Sequence, residues 1–497
     1  MSHILPIFTE TDRVNNIINA GAAKVLSNVE FWEREIEEWL ASQVRSDILT
    51  AERYYNGDHD ILHTVRTVIG KDGQKEKAEN MPDNHIVDNQ YGKCVDEKKN
   101  YIIAKPLTIT TSDEQYGKNL KKAYFNKGMH RKLNRVAREC VNAGVAYIYP
   151  YYDSNGNLCF KHFRSWEIIP QYVDEERTIV QSFGRLYEVE GYEGKERKLY
   201  HLFEVYSKDG VERYVLDGGK LIKDVERGDS AYITLETGNL DNPGKKTYNW
   251  GRVPLIVFKR NEKEQPLIKG LKSLQDAINR IESNFVNVMD EDIRNTILVL
   301  VNYDGENLGE FRYNLAKYGA VKVSTIDGQA GDVKTLRIEV NPENYKAVLA
   351  ILKEALVENA KAFNVKDNRL NSDANQMHIQ TAYHDMDLDA DDMEVEWQAA
   401  LEDLMYFINF DMQLKGSASK DTEITFTFNR NMMIDETSLI QNCVVSRDII
   451  SDTTIRQKHP WCVDPQKEAA LLEKQRAVET AYNPIEDLRK AGAANDD

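Results

Sequence analysis

Hydrophobic residues recur with a helical period through much of the segment 265–415. In its first part, residues 267–294, the apolar positions are spaced by three or four residues: Leu274, Ile278, Ile281, Phe285 and Val288. This spacing puts them on one face of an α-helix and leaves Asn279, Glu282 and Asn287 on other faces. The pattern predicts a helix roughly 42 Å long, at about 1.5 Å per residue, whose apolar stripe packs against a partner helix.

Two more helices are predicted downstream. One begins at Asn341-Pro342-Glu343, which combines an N-cap residue, a proline at the first helical position and an acid in the first turn. Its apolar residues are Tyr345, Leu349, Leu352, Leu356 and Phe363. The other runs over 376–415, with an apolar side made of Met393, Trp397, Leu401, Leu404 and Ile408. The polar residues 364–375 between them have little to bury, which predicts an exposed loop.

A shorter insert separates the first two helices. Residues 297–301, 309–318, 320–324 and 333–340 predict a strand, a helix and two strands, in that order. An insert of about 45 residues is marginal as an independent domain. We therefore expect neighbouring copies of the chain to complete its core.

The N-terminal half changes from helical to β-rich. Residues 11–55 have a helical pattern with an apolar face formed by Phe31, Trp32, Ile36, Trp39 and Leu40. A polar loop is predicted at 71–79, followed by a helix that starts at Asn84 and is stopped by Pro106. Alternating segments and turn residues predict a sheet across 144–258. Near the C-terminus, one strand is predicted at 423–429 and polar helices across 435–497.

A basic helical pattern covers residues 118–142. Its cations are Lys121, Lys122, Lys127, Arg131, Lys132, Arg135 and Arg138. By itself this composition fits a nucleic-acid-binding face. The carboxylate of Glu139 and the interleaved Leu133 and Val136 favour the other interpretation, a solvated amphipathic helix.

Four stretches carry a family resemblance: Tyr54-Tyr55-Asn56-Gly57, residues 84–89 with the later Lys105-Pro106, residues 250–258 leading into 274–279, and residues 297–300. With the order helix, insert, helix, loop, long helix, the chain resembles the portal proteins of tailed double-stranded-DNA bacteriophages. The similar branch is the one common among phages with long non-contractile tails. Helices alone would fit an amphipathic bundle of another purpose, and the order of parts favours the family.

The resemblance implies an α+β portal fold with long stem helices, a β-rich wing, a small α/β clip and a helical crown. The implied divisions are a wing at 1–262, a stem helix at 263–295, the clip at 296–341, a second stem helix at 342–364, a tunnel loop at 365–375, the long helix and a C-terminal wing strand at 376–436, and the crown at 437–497.

The same resemblance implies three sets of site residues. The loop before the long helix would face a central tunnel and present Lys366, Asp367, Arg369 and Asn371 to DNA. The clip would bind partners through Tyr303, Glu306, Glu310 and Arg312. The stem stripe Leu274, Ile278, Ile281, Phe285 and Val288 would form the interface between copies. A surface loop on the outside of the assembly is the alternative for 365–375.

Ring geometry is compatible with passage of DNA. Twelve stem helices with centres about 10 Å apart form a ring roughly 38 Å across, which leaves about 28 Å after one helix diameter is subtracted, wider than a duplex of roughly 20 Å.

Charge and cysteine content narrow the classes of partner and compartment. The 497 residues include 64 basic and 81 acidic side chains, a formal net charge of −17, so the average surface should repel nucleic acid. The five cysteines are Cys94, Cys140, Cys159, Cys443 and Cys462; without CxxC pairing they predict neither a disulfide scaffold nor a zinc site. No signal pattern and no apolar run near eighteen residues is present, so we expect a soluble chain without a membrane partner.

Three motifs come near to catalytic or metal-binding chemistry. Residues 238–247 have glycines and lysines of a phosphate-binding loop, but their spacing is wrong and no helix follows, which favours a turn between strands. Residues 385–396 match the acids of a calcium loop, but Ala390 stands where glycine is required, which favours an acidic stretch of the long helix. His378 and His384 are poorly spaced for one helical face. We expect no enzyme activity, no metal and no cofactor.

The resulting hypothesis is a portal subunit in a ring, most simply of twelve copies, at the capsid vertex. The family implies double-stranded DNA in the channel, the terminase large subunit and a head–tail adaptor as partners, contacts with major capsid and scaffolding proteins, and a place in the virion after assembly in the host cytoplasm. The alternatives are a non-enzymatic scaffold or adaptor and, with less support, a DNA-translocating ATPase.

Overall fold

The computed structural model describes residues 27–69, 74–77, 81–237, 244–294, 297–301, 332–336, 342–363, 376–416, 423–430, 436–462 and 465–481. Within these ranges, helices and antiparallel sheets are mixed along the chain. The α+β class is therefore confirmed.

The helices follow the predicted pattern closely in the second half of the chain. They are α1 (Asn28–Ala41), α2 (Gln43–Tyr55), α3 (Gln90–Ile103), α4 (Glu114–Ala123), α5 (Lys127–Ala143), α6 (Ile268–Arg294), α7 (Pro342–Asn359), α8 (Gln376–Leu414), α9 (Glu436–Val445), α10 (Asp452–Lys458) and α11 (Pro465–Ala481). Short 3-10 helices cover Asp60–His63 and Ser165–Glu167.

Sixteen strands are present in the described ranges, and all pair antiparallel. They are β1 (Thr67–Ile69), β2 (Lys75–Lys77), β3 (Thr108–Thr111), β4 (Val145–Tyr152), β5 (Leu158–Phe163), β6 (Ile168–Tyr172), β7 (Val180–Glu193), β8 (Glu196–Ser207), β9 (Gly210–Asp217), β10 (Lys220–Lys223), β11 (Ile233–Thr237), β12 (Gly244–Tyr248), β13 (Ile256–Lys259), β14 (Ile297–Val301), β15 (Asp332–Leu336) and β16 (Ile424–Thr427). The main sheet has the order β10-β9-β8-β7-β6, and a smaller one has the order β13-β4-β5.

One part of the five-stranded sheet is buried on both faces, while the β7–β8 hairpin end is largely exposed. On one face, Phe203 and Val205 of β8 pack with Trp32 and Ile36 of α1. On the other face lies a cluster that also takes in β4, β5 and the residues before β13: Val145, Tyr147, Phe163, Ile168, Phe183, Tyr206, Val211, Val253 and Leu255. Alternation of side chains along β8 produces this division, because successive residues of a strand point to opposite faces.

Several predictions about the N-terminal half need correction. The helical pattern of 27–55 is broken at Ser42, whose extended backbone ends α1 and whose hydroxyl caps α2. Leu40, placed on the apolar face, is 46% exposed. The predicted loop at 71–79 contains β2, which pairs with β1. The basic helix is two helices, α4 and α5.

The start of the helix predicted at Asn84 is also wrong. The helix begins at Gln90, with Asn89 as its N-cap, and residues 81–89 are neither helix nor strand. The reason is a competing set of hydrogen bonds from this segment to α6, described below. The end of the helix and the strand after Pro106 are confirmed by α3 and β3.

The long helix α8 packs along its predicted apolar side. Met393, Trp397, Leu401, Leu404 and Ile408 are all buried. Trp397 meets the ring of Phe258 edge to face, with centroids 4.7 Å apart. The strand predicted at 423–429 is confirmed by β16, which pairs with β3.

The chain divides into two compact units. One comprises residues 1–362 and 388–430, and the other comprises 363–387 and 431–497. In the second unit, Phe363 stacks on Tyr383 with ring centroids 4.2 Å apart, and α9, α10 and α11 confirm the predicted polar helices.

The insert between α6 and α7 is described only at its edges. There, β14 and β15 pair antiparallel, with Ile297 opposite Leu336, which confirms the first predicted strand. The helix and the strand predicted at 309–318 and 320–324 lie outside the described residues.

Candidate functional site

The helix pair α6–α7 is the element on which the predicted function depends. The ring centroid of Phe285 on α6 lies 4.9 Å from the ring centroid of Tyr345 on α7. Nζ of Lys353 on α7 donates to Glu282 on α6 at 2.9 Å and to Asp88 at 2.6 Å. Apolar and ionic contacts therefore join the two helices and the segment before α3.

The predicted apolar stripe of α6 is used partly inside the chain. Ile278 is completely buried, so it has no surface left for a second copy. Leu274, Ile281, Phe285 and Val288 are half-buried. Other apolar side chains of the pair point outward: Met289 is 50% exposed, Val348 44% and Ile351 64%. The helix pair thus retains an exposed apolar surface after the single chain has folded.

The opposite side of α6 carries a feature that the sequence pattern did not reveal. Gln275, Asn279, Ser283 and Asn287 follow one another at intervals of four residues, and all four are buried. We call this set the polar ladder. A spacing of four residues places the side chains above one another on one helical face.

The polar ladder binds the backbone of residues 84–91. The N–H of Asn84 donates to Asn287 at 2.7 Å, and the N–H of Ile86 donates to Ser283 at 2.9 Å. Further along, the N–H of Asp88 donates to Asn279 at 3.1 Å and that of Tyr91 to Gln275 at 2.9 Å. Gln275 also donates to the backbone oxygen of Asp88 at 2.7 Å.

Two repeat distances explain this register. Four residues of α-helix rise about 6.0 Å, and two residues of extended chain span roughly 6.6 Å. Every second N–H of the 84–88 segment therefore meets the next side chain of the ladder. Because a buried N–H without an acceptor is costly, this match keeps 84–88 out of a helix.

His59 lies beside Asn279 of the polar ladder and forms a hydrogen bond with it. Its buried ring places Nε2 3.0 Å from the backbone oxygen of Tyr54 and Nδ1 2.7 Å from the amide nitrogen of Asn279. A carbonyl oxygen only accepts, so Nε2 carries the proton and Nδ1 accepts from Asn279. Burial lowers the pKa of His59, in agreement with the neutral ring that this network requires.

An ion cluster joins the 53–60 segment to the same helix. Nζ of Lys272 donates to Asp60 and to Asp276, Arg53 also donates to Asp60, and the hydroxyl of Tyr54 donates to Asp276. Burial alone would raise the pKa of Asp60, but hydrogen bonds from Lys272 and Arg53 lower it to about 2. Asp60 therefore stays ionised across the physiological pH range.

Asp389 of α8 is a second ionic junction. Its carboxylate accepts from Nζ of Lys98 at 2.7 Å and from Arg260 at 3.2 Å, and Nζ of Lys361 lies 3.7 Å away. Lys98 is only 3% exposed and also donates to the backbone oxygen of Lys361 at 3.1 Å. One carboxylate thus ties α8 to α3, to the residue after β13 and to the end of α7.

The 250–258 motif fastens α8 to the β-rich section. The hydroxyl of Tyr406 donates to the backbone oxygen of Trp250 at 2.6 Å. The guanidinium of Arg252 lies 3.7 Å from the ring centroid of Tyr406 and 2.8 Å from Asp403. Gly251 between them has φ +78°, a conformation that favours glycine.

The two predicted sets of polar site residues lie outside the described residues. These are Lys366, Asp367, Arg369 and Asn371 of the loop, and Tyr303, Glu306, Glu310 and Arg312 of the insert. Their roles remain predictions. The stem stripe is described, and its role between copies is likewise still a prediction.

The structure decides between the interpretations of two motifs. Residues 385–396 belong to the unbroken helix α8, which excludes the bent loop of a helix–loop–helix calcium site. Residues 233–237 and 244–248 form the antiparallel pair β11–β12, so the lysines after Gly244 lie on a strand and not at the start of a helix. The predicted turn itself falls on residues 238–243, which lie outside the described residues, and it stays a prediction.

The described residues contain neither a metal-binding cluster nor a membrane-spanning helix. Among them there is no group of three or more His, Cys, Asp or Glu side chains placed to hold a metal ion. In the same part of the chain, no helix combines the length and hydrophobicity that crossing a bilayer requires.

Comparison with known proteins identifies the family to which the chain belongs. A family model described as phage portal protein, SPP1 Gp6-like, matches residues 41–481. The chain belongs to this family of phage portal proteins. The matched portion includes the helix pair, the polar ladder, the insert and α8. It also includes the motifs at 54–57 and 84–89, which the structure brings together on α6.

Two curated portal proteins are similar over most of their length. The portal protein of Bacillus phage SPP1 is 27% identical over 491 residues, which cover 96% of this chain and 92% of the relative. That of Clostridium phage phiCD119 is 25% identical over 452 residues, which cover 88% and 94%. Among solved structures, a chain from the "Neck of native GTA particle computed with C12 symmetry" is 10% identical, with a TM-score of 0.35, and the match covers 74% of this portal protein and 90% of that chain.

Proposed function

We propose that this portal protein assembles into a closed ring, of twelve copies as the helix geometry allows, at one vertex of a phage capsid. Double-stranded DNA passes through its channel during packaging and ejection. The terminase large subunit and later the head–tail adaptor dock on one end, while major capsid and scaffolding proteins surround the ring. The subunit assembles in the host cytoplasm, acts without enzymatic activity or cofactor, and remains in the virion.

The single observation that carries this proposal is the family match across residues 41–481. The exposed apolar surface of the helix pair supports it. Met289, Val348 and Ile351 would be left in water in a monomer, and contact with a neighbouring copy would remove their apolar surface from water, which is favourable. We infer that the helix pair, including the partly exposed Phe285 and Val288, packs against the next copy in the ring.

The variant Ile351→Asp tests that interface without disturbing the fold. Phe285→Asp is also expected to break the ring, but Phe285 contacts Tyr345 within the chain, so its loss affects folding as well. Ile351 is 64% exposed, and its replacement places a charge in the interface at a cost of several kcal/mol. Light scattering after size exclusion should show subunits instead of rings, with the melting temperature of the isolated subunit unchanged.

Ile351→Val is the matched control, because it keeps the apolar character of the position. It should form rings like the wild type. Intact rings of Ile351→Asp would remove this face of α7 from the interface.

The insert and the loop extend the proposal to the partners. We propose that the insert displays Tyr303, Glu306, Glu310 and Arg312 to the packaging motor and the adaptor. Support comes from its place between the ends of α6 and α7. Charge reversal at Glu306 and Glu310 should leave rings intact and stop packaging in a reconstituted assay. Normal packaging together with normal tail joining would exclude this role.

For the loop, we propose that Lys366 and Arg369 touch phosphates as DNA moves, while Asp367 and Asn371 keep the local charge low. Each contact has to be weak, because a tight ring of cations would hold DNA through counterion release. Lys366→Glu combined with Arg369→Glu should preserve rings and shorten the nuclease-protected DNA per particle. Wild-type length and retention at every salt concentration would mean that the loop does not contact DNA.

A further inference from the structure

The helices α4 and α5 carry a concentration of positive charge that the channel does not explain. Residues 115–138 include eight Lys or Arg side chains and no Asp or Glu, in a chain whose net charge is −17. Lys121, Lys122, Lys127, Arg131 and Arg135 are exposed. We call these five residues the basic face.

The side chains of the basic face differ from the neighbouring Lys118 in their charge pairing. Across the described parts of the chain, none of the five takes part in a salt bridge, whereas the neighbouring Lys118 pairs with Glu114 at 2.9 Å. Some exposed cations elsewhere have acidic partners, for example Lys198 with Glu193 and Lys220 with Glu33. The basic face therefore has its charge available for an external anion.

Glu139 was the carboxylate that favoured a solvated helix over a nucleic-acid-binding face. It lies 1% exposed on the inner side of α5. There it accepts from the backbone N–H and the hydroxyl of Ser165, both at 3.0 Å. It is directed away from the basic face, and its presence is no argument against an anionic ligand.

The positive potential extends to the protein beneath the face. The imidazole of His162 on β5 is half-buried, and burial, together with Arg164, Arg138, Arg135 and Lys132, lowers its pKa to about 4. Arg164 pairs with Glu139 at 3.7 Å, but the other three cations form no salt bridge with the described residues, so the surface around this ring is locally positive. Such a surface attracts a polyanion and repels the acidic surfaces that dominate this chain.

The spacing of the face suits a regularly charged backbone. Lys127, Arg131 and Arg135 are four residues apart, so they rise about 6.0 Å from one to the next along α5. Alternate phosphates of one DNA strand are separated by about 6.8 Å along the axis. Helix α5 is held rigidly beneath them, since Leu133, Val136 and other residues of its inner side are buried.

No exposed large apolar side chain of α4 or α5 interrupts the face in the described structure. A protein partner would need such residues at the centre of its contact, because the buried core of a protein interface is depleted in charge. A phosphate backbone needs cations and polar groups alone.

We propose that the basic face binds the phosphate backbone of double-stranded DNA on the outer surface of α4 and α5, outside the channel. The contact is independent of base sequence. It rests on the proposed function in supposing that DNA is present around the assembled ring, and it adds a second place where the portal subunit meets DNA.

A covalently closed circular duplex tests this proposal, because a closed circle cannot thread a ring. Binding of the full-length assembled protein to the circle is measured over a salt series. The variant Lys127→Gln/Arg131→Gln/Arg135→Gln removes three cations of the face. The control Lys195→Gln/Lys208→Gln/Lys263→Gln removes three exposed lysines scattered over other elements. Ring formation is checked by electron microscopy on every sample.

The wild type should bind the circle with an affinity that falls linearly in a double-logarithmic plot against salt. In the face variant, the slope of log affinity against log salt should be smaller in magnitude by about 2.7. At 0.1 M salt this corresponds to an affinity about 500-fold lower, because each lost contact removes a factor of roughly eight. The dispersed control should stay close to the wild type. These results would support the assignment.

Three outcomes would overturn it: wild-type rings that do not bind the circle, a face variant that keeps the wild-type slope, or a dispersed control that loses as much as the face variant. Competition by polyglutamate as effective as by DNA of equal charge would assign the face to an acidic protein. Each of these leaves the proposed function standing if the rings still package DNA, so the two proposals fail separately.

Discussion

The carboxylate of Asp389 joins four segments of the first unit. It neutralises the buried Lys98 and contacts Arg260 and Lys361. Replacing it with asparagine would leave the ammonium of Lys98 buried without a counter-charge. Removal of one partner of a buried ion pair costs about 3–5 kcal/mol.

We therefore expect Asp389→Asn to lower the free energy of unfolding by about 3–5 kcal/mol in urea denaturation. Asp392→Asn is the control, since Asp392 is exposed on the same helix and should change stability by less than about 0.5 kcal/mol. Equal stability of the two variants would show that the junction does not hold α8 in place.

His59 should make stability depend on pH below neutrality. Its folded pKa lies below the ordinary value of 6.5 because the ring is buried, so the unfolded chain binds more protons once pH falls below 6.5. Stability must then decrease as pH falls. From pH 7.5 to 5.5, this single residue accounts for up to about 1.4 kcal/mol.

The variant His59→Asn isolates that contribution. Its own stability should be lower at pH 7.5, since the bond to Tyr54 is lost, but it should fall less steeply on acidification than that of the wild type. His162 and other groups act equally in both proteins, so the difference between the two pH profiles reports His59. Parallel profiles would contradict the neutral, buried ring.

At the scale of elements, the polar ladder couples α6 to the 84–91 segment through a match of repeat distances. Ser283→Ala removes the acceptor of the Ile86 N–H, and leaving a buried donor unsatisfied costs about 1–3 kcal/mol. Ser273→Ala is the matched control on an exposed position of the same helix. We expect chemical denaturation to show the loss for Ser283→Ala alone. If both variants are as stable as the wild type, the ladder does not fix this segment.

The ladder also shows where sequence reasoning reached its limit. Periodicity predicted the bounds of α6 and α8 almost to the residue, because apolar side chains at helical spacing form one face that packs against the rest of the protein. The same reasoning placed Asn279 and Asn287 away from the packed surface, since it equates polarity with exposure. Their partners are backbone groups almost two hundred residues earlier, which no local pattern reveals. The usable signal was the strict interval of four among Gln275, Asn279, Ser283 and Asn287.

The predictions drawn from Glu139 and from the helix signals at Asn84 were wrong for the same reason. A carboxylate on a basic helix indicates a solvated face only if it points outward, and Ser165 draws it inward. The residues 84–89 have good helix signals, but side chains of α6 compete for their N–H groups. In each case, a polar contact with a residue distant in the sequence outweighed the local preference.

At the scale of the whole molecule, net charge and exposed apolar side chains have opposite effects on assembly. The chain carries a net charge of −17, to which the basic face of α4 and α5 is a local exception, and the exposed apolar residues of the described structure include Met289, Val348 and Ile351 on the helix pair. Self-repulsion of an acidic chain opposes association. Assembly must therefore draw on the apolar surface, which predicts that moderate salt promotes ring formation and strengthens rings once formed.

The most direct measurement of the central claim is the mass and shape of the purified full-length protein, by native mass spectrometry together with electron microscopy. We predict one dominant species whose mass is a multiple of the 57.2 kDa chain, near twelve copies. It should appear as a closed ring with an opening wider than the roughly 20 Å of a DNA duplex. Monomers, open fibres or rings too narrow for a duplex would contradict it.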